Sequence, residues 1–139
     1  MNYGRVLLAA AGGFVAYFAF GFFVFGLLPL LRDEYAKYPA VYRTQDSMKS
    51  VMPIGMAAMF IAIFVVAVLY AMSYHPGEGF AQGIRFGALI GLFAVCSFVL
   101  HNHVNLNIGW LLTWKQAIAY FVEWTIVGVV IGLIYQGRI

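Results

Sequence analysis

Gly83-Ile84-Arg85-Phe86-Gly87-Ala88-Leu89-Ile90-Gly91-Leu92-Phe93-Ala94-Val95-Cys96-Ser97-Phe98-Val99-Leu100-His101-Asn102-His103-Val104-Asn105 decides the fold. Its length and apolar character predict a membrane-spanning helix over about 83–104, since a span needs about 20 apolar residues. At about 100° per residue, Gly83, Gly87, Gly91, Ala94, Ser97, His101 and Asn105 fall within roughly 120° of one another. Small residues on one face let a neighbouring helix come close, and polar residues on the same face can bond across the contact. This stripe is read as the seam around which the other helices assemble.

The rest of the chain supplies those helices. It has 139 residues, of which 64% are hydrophobic and 9% charged. A soluble domain carries about 25% charged residues, so this chain has too little charge to cover a water-facing surface. The length suits a single domain, 1–139, that is all-α and forms an integral membrane bundle of four helices. The other three spans are expected at about 6–31, 50–74 and 116–136. The first begins close to the N-terminus, but its apolar run is far longer than the roughly 7–15 residues of a signal-peptide core, so it is read as a retained span. Ala9 and Gly13 give it one small-residue pair, Gly12 and Ala16 another, and Pro29 is expected to kink its last turn. In the fourth span, Gly128 and Gly132 repeat the spacing of Gly83, Gly87 and Gly91.

Most of the charge lies between Arg32 and Lys49, mixed with Tyr35, Tyr38 and Tyr42. That mixture suits a loop in the headgroup layer, with Asp46 or Ser47 capping the next helix. Pro53 is expected in the first turns of the second span. Trp110 and Trp114 read as an interfacial pair before the fourth. Four spans put both termini and the His75 turn on one side, with Arg5, Arg85 and Arg138. The other side has Arg32, Lys37, Arg43, Lys49 and Lys115. The positive-inside rule then favours termini outside the cytoplasm.

The net charge is +3 with no basic run, which excludes a nucleic-acid interface. The single cysteine, Cys96, has no intrachain partner and reads as a small apolar filler. Met52, Met56 and Met59 read as flexible packing rather than a metal stripe. His75 and His101 belong at opposite headgroup layers, more than roughly 25 Å apart at helical rise, which is too far to ligate one haem iron. His101 and His103 point to different sides of a helix, which disfavours a shared metal. No cofactor is expected, although the aromatic first span leaves haem or a pigment open. No nucleophile triad, phosphate loop or pair of carboxylates in one span points to an enzyme.

Glu123 is the exception in the fourth span. A carboxyl group within a span is costly and marks a functional-site candidate. Gln116, Ala119, Tyr120 and Glu123 share one helix face. Glu123 with His101, Tyr120 and Asn105 nearby forms a candidate polar site for a proton, a cation or a small polar solute. The competing expectation is structural, with Glu123 hydrogen-bonded across the seam.

The order of features is a long first span, a tyrosine- and lysine-bearing loop, a second span, Gly87-Ala88-Leu89-Ile90-Gly91, an Asn-rich helix end, and Trp124, Gly128 and Gly132 at intervals of four. In this it resembles small uncharacterised four-span bacterial inner-membrane protein families. The resemblance implies the fold and a bacterial inner membrane, and carries over no functional residue. Two glycine faces on so small a bundle favour an accessory or scaffolding subunit, packing against itself in a homo-oligomer or against a larger membrane complex. The alternative is a small oligomeric transporter or ligand-binding protein that uses Glu123 and His101.

Overall fold

A computed structural model describes residues 1–136. Five helices are found among them: α1 (Tyr3–Leu27), α2 (Pro29–Ala36), α3 (Gln45–Met72), α4 (Gly79–Asn105) and α5 (Trp110–Ile134). All but α2 are long and apolar enough to cross a membrane. Arg138, counted in the charge comparison, lies outside the described residues.

The expected glycine seam is present, and it joins α4 to α5. Gly83, Gly87 and Gly91 are buried, as are Gly128 and Gly132. A Cβ built on Gly83 would stand 2.7 Å from the Gly128 carbonyl oxygen, and one on Gly87 would stand 2.7 Å from that of Trp124. A Cβ on Gly128 would meet the Gly87 backbone. The two backbones therefore touch along about two turns, which only small residues allow. The two glycine motifs are thus partners within one chain.

The helix at the centre is α5 rather than α4. One face of α5 carries the glycines against α4. Another carries Val127 and Ile131 against α1, where Gly13 would bring a Cβ within 3.3 Å of both. The main core gathers Val6, Ala9 and Ala10 of α1, Ile63, Val66, Ala67 and Tyr70 of α3, and Trp124, Val127 and Ile131 of α5. Tyr70 Oη donates to the Gly79 carbonyl at 3.3 Å, and Arg5 Nη1 donates to that of Ile134 at 3.3 Å. These contacts tie the start of α1, the end of α5 and the α3–α4 turn at one end of the bundle.

The boundaries differ from expectation for local reasons. Leu28 is extended (φ −75°, ψ 127°), the conformation favoured before proline, so α1 stops at Leu27 rather than Leu31. Pro29 then opens α2 as an N1 residue instead of kinking α1. The expected loop over 32–49 is therefore helical at its start. Its later part enters α3 at Gln45, capped by Thr44, whose hydroxyl accepts from the Ser47 N–H at 3.2 Å. Asp46 and Ser47 lie inside the helix. Pro53 consequently sits two turns in, on an exposed stretch of α3. α5 begins at Trp110, taking both interfacial tryptophans into the helix.

Two segments, Phe22–Leu27 in α1 and Val95–Leu100 in α4, are π-helical. A π turn holds one residue more than an α turn, so the residues after it are rotated by about 100° from where a continuous α-helix would put them. In α4 this moves the stripe. Ser97, His101 and Asn105 are exposed, while Val99 is buried and Asn102 is half-buried.

Candidate functional site

The second core cluster builds the site. Leu31 of α2 packs with Ile108, and with Leu112 and Ala119 of α5. Around it α2 is fastened by polar contacts. Lys115 Nζ donates to the Leu30 carbonyl at 3.2 Å and to Glu34 Oε1 at 3.1 Å, and Lys37 Nζ reaches the same oxygen at 2.8 Å. Glu34 is itself buried. Its hydrogen bonds to Lys37 and Lys115 hold its carboxyl below the usual carboxylate range. Tyr38 Oη accepts from the Gly109 N–H at 2.9 Å, which fixes the following turn to the start of α5.

Docked this way, α2 roofs a cavity of about 790 Å³. Its apolar wall includes Phe25, Phe98 and Tyr120. Tyr120 lies against Phe25 (ring centroids 5.4 Å) and Phe98 (5.7 Å). Phe25 and Phe98 come from the two π-helical segments, so both irregular turns meet at one residue of α5. π turns recur at functional sites because they re-aim side chains. The polar wall includes Arg32, Arg43, Asn102 and Gln116. Gln116 is buried, and its Nε2 donates to Tyr35 Oη at 2.7 Å and Tyr42 Oη at 3.5 Å. Burial pushes the Tyr35 hydroxyl up to about 12, against the opposing effect of the Gln116 hydrogen bond, so it stays neutral at physiological pH.

α3 leaves the space open. Its buried residues, Ile63, Val66, Ala67 and Tyr70, all lie in its second half. From Gln45 to Ala58 only Val51 is as much as half-buried. Of α3, Gln45 and Met48 in the first turn reach the cavity.

The structure divides the four residues of the expected polar site. Tyr120 lines the cavity, and Glu123, on the same face of α5, is 1% exposed. His101 and Asn105 are exposed and share no hydrogen bond with Glu123, because the π turn swings them off the glycine face. Asn102 takes the place expected of His101. Glu123 also lacks the structural bond across the seam: among the described residues neither of its oxygens has a hydrogen-bond donor. Gly21 of α1 lies beside it, where a Cβ would stand 3.2 Å from Glu123 Oε1. His103 is engaged elsewhere, with Nδ1 2.8 Å from Thr113 Oγ1 and its ring stacked 3.8 Å from that of Trp110. Cys96, read as a small apolar filler, is exposed.

Sequence reasoning found the Gln116–Tyr120–Glu123 face but missed Tyr35, Tyr42, Arg43 and Asn102. The tyrosines were visible as a cluster, yet nothing in their spacing aims them at Gln116. Compared with known proteins, the chain matches no family model, no curated protein and no solved structure.

Proposed function

We propose that this is a multi-pass membrane protein that binds an amphipathic small molecule in the cavity under α2. The observation that carries the reading is the cavity's two-sided lining: aromatic at Phe25, Phe98 and Tyr120, and polar at Gln116, Asn102, Arg32 and Arg43. Ligand sites of this kind are mostly apolar with a few placed polar groups, within a range of roughly 300–1,000 Å³. Arg32, Arg43 and Asp33 together leave one excess positive charge at the polar wall, which favours an anionic head over a cationic one. The apolar part of the ligand lies along the three aromatic rings.

A second reading is the accessory subunit. The glycine faces no longer argue for it, since each is filled by the other. What favours it is the first half of α3, where Met48, Met52, Ile54 and Met56 are exposed with no helix against them. Lipid or a partner subunit covers that face. The resemblance and the charge distribution favour a bacterial inner membrane, with termini outside the cytoplasm, as its location.

Titration of the chain in nanodiscs with a dansylated fatty acid tests the ligand reading. Saturable enhancement of dansyl fluorescence is expected, weakened at least about ten-fold, or about 1.4 kcal/mol, when Asn102→Trp or Met48→Trp fills the cavity. Equal enhancement in wild type and both variants would assign the signal to lipid and remove the reading.

A further inference from the structure

We infer that Glu123 is a proton-exchange site reached from the cavity past Tyr120. The inference rests on the cavity described above for its route, and on Glu123 itself for its chemistry.

Glu123 is almost wholly buried, and both its oxygens lack donors among the described residues. The ionisable groups that act on it are all hydroxyls: Tyr17 from α1, Tyr35 from α2 and Tyr120 from its own helix. Among the described residues no arginine, lysine or histidine pairs with it from any helix, α3 and α4 included. An unpaired carboxylate in such surroundings is costly, so the site demands a counter-charge. A divalent ion would leave an excess charge in apolar surroundings and needs roughly six or more oxygen ligands. Among the described residues no three acidic, histidine or cysteine side chains gather to supply them. A proton neutralises the group with one oxygen.

The route follows from α5. Tyr120 lies about one helical turn from Glu123 on the same face and forms the cavity wall between Phe25 and Phe98. Gly21 flanks Glu123 on α1, at the start of the π segment that carries Phe25. When Glu123 releases its proton, the O–H bond breaks and a water molecule that enters from the cavity past Tyr120 takes the proton. Uptake reverses the step. A ligand that fills the cavity displaces that water, so occupancy controls exchange.

Infrared difference spectroscopy of the reconstituted full chain tests this. A carboxyl C=O band that titrates reversibly with pH, shifts on transfer to deuterated water and disappears in Glu123→Gln is expected. Asn102→Trp is expected to slow the deuterium shift about ten-fold or more, because it blocks the route. Should Glu123→Gln not fold, Glu123→Asp keeps a carboxyl group at the site and is expected to move the titrating band to a different frequency. A band that does not titrate, or one that persists unchanged in Glu123→Gln, would overturn the site. Unchanged exchange in Asn102→Trp would overturn the route. If the dansylated fatty acid fails to bind while the titration and the Asn102→Trp slowing are seen, the ligand reading fails and this one stands.

Discussion

Gly87 has no room for one more carbon. Its Cβ would stand 2.7 Å from the Trp124 carbonyl oxygen and 2.9 Å from the Thr125 Cα, and backbone atoms cannot rotate aside as a side chain can. Gly87→Ala must push α4 away from α5, and overpacking of this kind costs about 1–3 kcal/mol. Gly55 offers the control within the same protein. It is helical and exposed, with nothing within 4 Å of its Cβ position. Gly55→Ala is expected to be neutral or to stabilise by up to about 1 kcal/mol, through helix propensity alone. Unfolding by denaturing detergent, measured on both variants, checks the contrast. Equal effects would mean that the seam is not close-packed. The glycine stripe was legible at this scale because close approach of helices selects for side-chain size, which is written directly in the sequence. The fate of Glu123 was not, since the lack of a donor depends on what every neighbouring helix happens to offer.

At the scale of elements, α2 is a small helix held by charge. Glu34 accepts from Lys37 and Lys115, and its carboxyl lies below the usual range in the folded chain. A carboxyl lowered on folding binds fewer protons folded than unfolded, so its contribution is complete above the ordinary carboxylate range and falls away as acid protonates it. Amide hydrogen exchange in α2 is therefore expected to accelerate below about pH 4, the ordinary glutamate range, and Glu34→Gln should exchange fast at every pH. An acid response that survives in Glu34→Gln would assign it to another group. The π turns make a separate prediction. Deleting Ser97 removes the extra residue from the turn and leaves α4 regular on both sides, so Asn102 and His103 keep their places. Deleting Ile118 from α5, which has no π turn to absorb the loss, rotates half the central helix by about 100° and is expected to abolish folding. Comparable yields of folded protein from the two deletions would contradict this account of the α4 register. The same turns explain why the site was only half legible. A regular 3.6-residue period carried the face correctly through Ala94, and the extra residue then exchanged His101 for Asn102. No residue type encodes a π turn. α2 was hidden for a different reason: its Arg32, Asp33 and Glu34 follow the apolar run directly, so it reads as the loop beyond a longer first span until the extended Leu28 before Pro29 is seen.

For the whole molecule, hydropathy made the four long helices plain, because each contains an apolar stretch long enough to cross a bilayer. Their arrangement was less plain. The last helix is the hub because it alone carries a glycine face for α4, a β-branched face for α1 and the polar Gln116 end for α2. α3, fixed only by its second half, leaves the first half exposed, and the cavity lies at the end it leaves free. The cavity is expected to hold an amphipathic molecule. Native mass spectrometry of the chain released from its own membrane in mild detergent reads this out. One co-purifying amphiphile per chain is expected on the wild type, and its loss is expected from Asn102→Trp. A wild-type chain that carries no small molecule, or a bound mass that Asn102→Trp retains in full, would contradict the claim.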